Sequence, residues 1–264
     1  MRSNRLRELL NEGKPTLGTH VISPWPGIVE VIGHSGAFDY VEYTGEYSPF
    51  SLEQMDNFGR AIELFPGMSS MMKVEEHGRA FIAGRTIGAG IQNILFASCR
   101  CADDVRECIR LVRPETPQAG GVRGCTMSRN LAYGLWVGSE EWIAAMNDVV
   151  VAIMIEKAAA LDDLKEILSV KGVDMVQFGP ADYSISTGKS WQPQNPELQQ
   201  KQREMIEMAL DMGVAPRVEL ASVEQAKPFF DMGVRHFCIG WDVMVMSDWS
   251  RQQGDAWKNL RDMD

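Results

Sequence analysis

The amino-acid sequence predicts a (β/α)8 barrel, the TIM-barrel fold, formed by the whole chain. Short apolar runs alternate with longer amphipathic segments along the sequence, a pattern typical of parallel strands joined by crossover helices. The chain has 264 residues, and one barrel of this kind needs about 250. We therefore expect a single domain, residues 1–264. An open, doubly wound sheet is the alternative fold.

Eight apolar runs are predicted to be the strands. They are Thr16–Val21, Phe38–Tyr43, Ser69–Val74, Asn93–Phe96, Val149–Ile155, Met175–Phe178, Val214–Val218 and His236–Ile239. Helices are expected between them, at Ser51–Leu64, Ala102–Val112, Leu161–Leu168, Pro196–Met212 and Val223–Met232.

Glycines mark the turns from helix to strand. Gly36, Gly90, Gly172, Gly213 and Gly233 each stand just before an apolar run. Glycine adopts the left-handed conformation that commonly ends a helix. This recurrence favours a closed barrel over an open sheet.

Three further segments lie outside the regular repeat. Asn4–Asn11 predicts an amphipathic helix that caps the bottom of the barrel, and 113–148 predicts a long, functional loop. The C-terminal segment, 248–264, carries Trp249, Trp257 and Leu260. Because these side chains are too apolar for a free tail, we expect an extra helix that packs on the barrel or on a neighbouring subunit.

Composition and charge exclude several classes of protein. A net charge of -10 argues against nucleic-acid binding, which depends on clustered Lys and Arg side chains. No run of about 18 apolar residues occurs, so no membrane span is expected. The N-terminus lacks signal-peptide features, and a cytoplasmic protein is predicted.

The five cysteines lack paired CxxC spacing. They are expected to be reduced and mostly buried thiols, with a thiolate nucleophile or a zinc ligand as the alternative.

Polar residues directly after the apolar runs are the candidate site. In a (β/α)8 barrel the active site lies at the carboxyl ends of the strands. Glu156 directly follows the fifth run, and a Gly-Pro turn leads from the sixth run to Asp182. Lys73 lies at the end of the third run, and Tyr47 follows the second.

Two carboxylates on adjacent strands can bind one hard cation such as Mg²⁺ or Mn²⁺. The competing interpretation is that Glu156 only favours the start of a helix and that Asp182 caps the next one. Spacing alone leaves both open.

The segment "AIMIEKAAALDDLKEILSVKGVDMVQFGPADYS", with "AFDYVEYTGEY", "GAGIQNILF" and "GVRHFCIGWD", resembles the HpcH/HpaI class II pyruvate aldolases. That family includes 4-hydroxy-2-oxoheptanedioate and 2-keto-3-deoxy-L-rhamnonate aldolases. The resemblance covers nearly the whole chain. It implies a barrel of the phosphoenolpyruvate/pyruvate-domain type.

The resemblance also implies a divalent cation (Mg²⁺ or Mn²⁺, with Co²⁺ as a further option) on Glu156 and Asp182. The implied reaction is carbon–carbon cleavage of a small 2-oxo acid through an enolate. Ala181, within the family's GPxD segment, is expected to contact the substrate. A homo-oligomer is expected as well, a hexamer built as a trimer of dimers.

The sequence departs from the family at residues that carry chemistry. The family's acid/base histidine is Tyr47 here, and its carboxylate-binding arginine is Lys73. Thr44, Met154 and Gly88 replace an aspartate, a glutamine and a second aspartate. The anion and metal sites are thus expected to be kept while the proton-transfer groups differ. Tyr47 could donate a proton, and Lys73 could hold the substrate carboxylate as a point charge.

Two other residues are candidates for the site. His20, near the end of the first run, is the best substitute for the missing base, with a structural role as its alternative. Arg123, in the long loop, could reach a distal carboxylate of the substrate or be a solvated surface residue.

Three functions remain open at this stage. The leading one is a metal-dependent aldolase. The second keeps the metal site for another enolate reaction, such as decarboxylation of an oxaloacetate-like acid, condensation or isomerisation. The third is a non-catalytic metabolite-binding protein.

Overall fold

Eight parallel strands close into a barrel, which confirms the predicted (β/α)8 fold. The computed structural model describes residues 2–135 and 137–262. The strands pair in sequence order and the last pairs with the first. They are β1 Thr16–Val21, β2 Tyr40–Tyr43, β3 Ser69–Val74, β4 Asn93–Phe96, β5 Val151–Ile155, β6 Met175–Phe178, β7 Ala215–Leu220 and β8 His236–Trp241.

Helices surround the barrel. They are α1 Arg5–Asn11, α2 Pro26–His34, α3 Leu52–Glu63, α4 Arg79–Gly88, α5 Ala102–Val112, α6 Glu140–Asn147, α7 Ala158–Asp162, α8 Leu164–Leu168, α9 Pro180–Ser186, α10 Pro196–Asp211, α11 Lys227–Asp231 and α12 Asp242–Arg261. Short 3-10 helices cover Arg129–Gly134 and Val223–Gln225. In the described part of the chain, no helix is long and apolar enough to cross a membrane.

The glycine turns are confirmed. Gly36, Gly90, Gly172, Gly213 and Gly233 all have positive φ angles, from 65° to 107°. A side chain at these positions would be strained, so glycine is what allows each helix to turn sharply into the next strand.

Two predicted helices are each divided. The predicted helix Leu161–Leu168 is divided between α7 and α8, because Asp163 is not in the helical conformation. The Asp163 carboxylate accepts a hydrogen bond from the Ala102 N–H. The predicted Val223–Met232 is a 3-10 turn followed by α11, which has Pro228 in its first turn.

The N-terminal helix closes the barrel as predicted. Leu6 of α1 is fully buried and packs in the barrel interior with Tyr40 and Met71. Arg7 pairs with Asp174, which precedes β6, at 2.6 Å. The carboxyl ends of the strands lie at the opposite end of the barrel.

The C-terminal helix lies largely outside the core. It begins at Asp242, ahead of the expected 248, and none of its described residues is buried. The last two residues of the predicted segment, 263 and 264, lie outside the described residues. Exposed apolar side chains of α12 include Val245, Met246, Trp249, Trp257 and Leu260.

Candidate functional site

Side chains at the carboxyl ends of the strands converge on one end of the barrel. Lys73 of β3 and Glu156, directly after β5, are buried. Glu46 and Tyr47 lie in the turn after β2, and Asp182 lies in the first turn of α9. These five residues form what we call the mouth site.

The Glu156 carboxylate is fixed by the loop after β4. The Ser98 N–H donates to Glu156 Oε1 at 2.6 Å, and the Ser98 hydroxyl lies 3.3 Å from the same oxygen. Ser98 has a φ of 58°, a left-handed conformation that is unusual for serine and costs energy. Such strain, held at a buried carboxylate, is typical of a functional site.

Space beside Glu156 depends on a glycine. A Cβ atom on Gly179 would lie 2.6 Å from Glu156 Cβ and 2.9 Å from Glu156 Oε2. The Gly-Pro turn seen in the sequence thus leaves room for the carboxylate and carries the chain from β6 into α9. It also brings Asp182 close enough for its charge to act on that carboxylate.

The charges around Glu156 favour a cation. Burial raises the pKa of Glu156 above its usual range, partly offset by Lys73 and the Ser98 N–H, while Asp182 and Glu46 raise it further. Asp182 is partly exposed, and its Oδ1 accepts a hydrogen bond from Lys157 Nζ at 2.9 Å. Two oxygen-donor carboxylates in one negative field suit a hard divalent ion, so Glu156 and Asp182 fit the expected metal.

The alternative roles of these carboxylates agree less well with the structure. Lys157, and not Glu156, is the N-cap residue of α7. Gly179 is the N-cap residue of α9, and Asp182 lies within its first turn.

Lys73 is bound to the turn after β2. Its Nζ lies 2.6 Å from Glu46 Oε2 and donates a hydrogen bond of 2.7 Å to the Tyr47 hydroxyl. Burial lowers the pKa of Lys73, but Tyr47, Glu46 and Glu156 outweigh it and raise the pKa above its usual value. Lys73 therefore favours the protonated form at neutral pH, which disfavours a nucleophilic role.

Tyr47 keeps its proton. Burial raises its pKa to about 12, although Lys73 lowers it in part. Its ring stacks on Trp241 with 5.8 Å between ring centroids. A tyrosine in this state can donate a hydrogen bond or a proton, but it is a poor base at neutral pH.

His20 lies deeper than the sequence suggested. It is 1% exposed and lies inside the barrel, with Nε2 3.7 Å from Glu42 Oε1 and 3.6 Å from Glu219 Oε2. Burial by itself lowers the pKa of His20, but Cys238, Glu42 and Glu219 raise it to about 9. A side chain so enclosed can affect a substrate only through a neighbour.

His20, Glu42 and Cys238 also form a group whose metal-binding atoms lie within 4.8 Å of one another. Arg217 Nη2 is 2.5 Å from Glu42 Oε2, so a guanidinium already balances that carboxylate. The mouth site, with oxygen donors and partial access, is the better place for a hard cation.

Arg123 does not join the mouth site. Its guanidinium donates to the Gly84 carbonyl of α4, and its backbone bridges to Pro114. The other histidines lie elsewhere too: His34 ends α2, His77 is exposed after β3, and His236 starts β8.

Sequence reasoning missed several residues of this region. Ser98 lies two residues after the fourth apolar run, and Glu219 directly follows the seventh. Trp241 ends β8. Their positions shortly after predicted strands were the available signal, but only the closed barrel shows which of them face inward.

Comparisons with known proteins give consistent results. The HpcH/HpaI aldolase/citrate lyase family model matches residues 53–248. The 4-hydroxy-2-oxo-heptane-1,7-dioate aldolase of Escherichia coli is 28% identical over 250 residues, covering 92% of this chain and 91% of that protein.

Solved structures share the fold. An HpcH/HpaI aldolase/citrate lyase family protein from Burkholderia cenocepacia J2315 superposes with a TM-score of 0.87 at 23% identity, covering 98% of this chain and 100% of that chain. Citrate synthase SbnG superposes with a TM-score of 0.83 at 23% identity, covering 97% of this chain and 98% of that chain.

Proposed function

Because this chain belongs to the HpcH/HpaI aldolase/citrate lyase family and is a carbon–carbon lyase of the aldehyde-lyase type, we propose that it cleaves a small 2-oxo acid at the mouth site. The observation that carries this proposal is the buried Glu156, fixed by Ser98 and placed beside Asp182. A buried carboxylate needs compensating charge, and Lys73 and the Ser98 N–H supply it only in part.

Glu156 and Asp182 would hold a divalent ion, Mg²⁺ or Mn²⁺. When bound, this ion withdraws electron density from the 2-oxo acid and so favours the enolate that bond cleavage produces. Ser98 orients the Glu156 carboxylate through its N–H, and Gly179 leaves room for it. Ala181, which follows Gly179 in the first turn of α9, is proposed to contact the substrate through its backbone.

Lys73 is proposed to bind the substrate carboxylate. The ammonium group is buried but lies at the end of β3, and its contacts with Glu46 and Tyr47 hold it in place. A substrate carboxylate would share this cation with Glu46, as a point charge can bind several acceptors.

Tyr47 is proposed to donate a hydrogen bond to the substrate. Because the Tyr47 oxygen accepts a hydrogen bond from Lys73, the hydroxyl proton is available for donation to another group. Such a donor is most useful where negative charge develops during cleavage.

The direct test is an activity assay. Pyruvate release from a 4-hydroxy-2-oxo acid should require added Mg²⁺ or Mn²⁺ and stop with a chelator. The Glu156→Gln variant should be inactive, and Glu166→Gln, which alters an exposed glutamate, should match the parent. Full activity in chelator-treated protein would contradict the proposal.

Decarboxylation of an oxaloacetate-type acid is the second candidate. The Tyr47 hydroxyl favours it, since loss of CO₂ forms the enolate without a base and the pKa of Tyr47 is raised to about 12. Assaying both reactions side by side separates the two. A condensation through the same enolate is a related outcome.

A further inference from the structure

Glu219 is a carboxylate at the barrel mouth that the proposed function does not use. It lies in β7, and its side chain is 30% exposed, whereas the neighbouring His20 is 1% exposed. The Trp241 Nε1–H donates to Glu219 Oε1 at 2.9 Å, and Gln177 Nε2 donates to Oε2 at 2.8 Å. Two donors from flanking strands thus fix a carboxylate that remains accessible.

The contacts of Glu219 lead directly to the mouth site. Trp241, which binds it, stacks on Tyr47, and Tyr47 accepts a hydrogen bond from Lys73. The positive charge of Lys73 also acts on Glu219. Glu219 therefore borders the same space as the residues proposed to bind the substrate.

Behind Glu219 the barrel interior is charged, although such barrels are usually filled by branched apolar side chains. His20 Nε2 lies between the carboxylates of Glu219 and Glu42, and His20 Nδ1 lies 3.2 Å from the Gly240 carbonyl. The two carboxylates and the Gly240 carbonyl favour the protonated ring, although the Arg217 guanidinium, which can only donate, also lies near Nε2.

The other groups that face His20 complete this arrangement. Arg217 Nη2 lies 3.5 Å from His20 Nε2 and is paired with Glu42. Cys238 Sγ lies 3.6 Å from Nδ1. Two cations and two carboxylates thus balance, and Glu219 is the member of this set nearest to the mouth.

The remaining groups at the mouth are poorly suited to accept a proton. Lys73 favours the protonated form, Tyr47 keeps its proton, and Glu46 is paired with Lys73. Glu156 and Asp182 are proposed to hold the metal. Glu219 is the carboxylate left for this task.

We propose that Glu219 is the acid/base residue of carbon–carbon cleavage, and that His20 is a positioning residue that keeps Glu219 ionised. This inference rests on the proposed function. In the cleavage, Glu219 takes the proton of the substrate's 4-hydroxyl group as the C3–C4 bond breaks. The electron pair of that bond forms the enolate of pyruvate, and the hydroxyl carbon becomes the aldehyde. Glu219 then returns the proton to C3, which gives pyruvate.

The Glu219→Gln variant tests this assignment in the Mn²⁺-loaded protein. Two reactions are compared: exchange of the pyruvate methyl hydrogens with D₂O, which needs a base, and decarboxylation of oxaloacetate, which does not. We expect exchange and aldol cleavage to fall by about 100-fold or more. Decarboxylation should stay within about threefold of the parent. Mn²⁺ binding, measured by calorimetry, should be unchanged.

Matched variants separate loss of the base from loss of the local structure. Glu224→Gln alters an exposed glutamate that follows β7 and should leave both reactions unchanged. Glu219→Asp keeps the negative charge but places it farther from the substrate, because the side chain is shorter. This variant should fold and retain part of the exchange activity. In His20→Gln, loss of the cation should raise the pKa of Glu219. The acidic limb of the pH profile for exchange should then move to higher pH, which a purely structural role would not cause.

The outcomes are distinct. If the parent exchanges and cleaves, and Glu219→Gln does both equally well, Glu219 is not the base. If Glu219→Gln loses decarboxylation and Mn²⁺ binding as well, its role is structural and the assignment is wrong. If the parent catalyses neither reaction, the proposed function itself fails.

Discussion

The Nζ atom of Lys73 lies 2.6 Å from a carboxylate oxygen of Glu46, so the buried cation of the mouth site is partly neutralised before any substrate arrives. The pair joins β3 to the turn after β2. It lies next to Tyr47, whose hydroxyl accepts from the same ammonium group. Binding of an anionic substrate must therefore redistribute these contacts.

Lys73→Ala should raise KM for the 2-oxo acid by about 10- to 100-fold, since a charge-assisted contact contributes roughly 1.5–3 kcal/mol. The contact is present before and during the reaction, so kcat should change less. Lys171→Ala, at an exposed position, is the control. Borohydride trapping with pyruvate should give no adduct at Lys73, and a covalent adduct there would overturn the metal-dependent mechanism.

Tyr47→Phe should lower kcat about tenfold or more with little change in KM. The reason is that its hydroxyl donates to charge that develops only during cleavage. The stacking on Trp241 is kept in this variant, so packing is preserved. Steady-state kinetics with the 2-oxo acid measure the effect, and an unaltered kcat would show that the hydroxyl is structural.

Glu156→Gln should lose most of its affinity for Mn²⁺ in calorimetry while its thermal unfolding stays cooperative. The amide removes the negative charge but keeps the size of the side chain. The Glu166→Gln protein provides the matched measurement, because residue 166 is exposed on α8. Equal Mn²⁺ affinity in Glu156→Gln and the parent would rule out this ligand.

Homo-oligomer formation through α12 is predicted from its exposed side chains. Trp249 and Trp257 are each 64% exposed, and a surface of large apolar side chains is typical of an interface. We expect the full-length chain to sediment as an oligomer, with the predicted hexamer as the complete assembly. Replacing both tryptophans with serine should yield smaller species. A monomeric parent protein would exclude the idea.

Stability should fall at alkaline pH because of His20. Its pKa is raised to about 9 in the folded protein, so the folded state holds a proton that the unfolded chain releases near pH 6.5. The stabilisation is complete below that pH and is lost as the pH rises through 9, by about 3 kcal/mol. Urea unfolding at pH 6.5 and 9.5 measures this loss, and His20→Gln should flatten the difference.

His236 should have the opposite effect on stability: its contribution is lost at acidic pH. Burial and Arg235 lower its pKa to about 4, so the unfolded chain binds the proton more readily. Stability from this group is present above pH 6.5 and is lost as the pH falls towards 4. The same unfolding series, extended to pH 4.5, should show a decline that His236→Gln removes.

The sequence by itself determined the barrel and the order of its strands. The apolar runs at β1, β3, β4 and β6 have the bounds that were predicted, because buried strands must be apolar whatever surrounds them. The glycine turns could also be predicted from local sequence, since a positive φ angle favours glycine in any surroundings. Glu156, Asp182 and Lys73 followed from the rule that strand ends meet at one face.

Only the tertiary structure decided which side chains share that space. The Ser98 contact with Glu156 depends on the pairing of β4 with β5. The burial of His20 and the place of Glu219 depend on closing β8 against β1 and on which alternate residues of each strand face inward. Arg123 shows the same limit, since its loop folds against α4. A local pattern sets which residues form a strand, but contacts between residues far apart in the chain are set by how the strands close around a common axis.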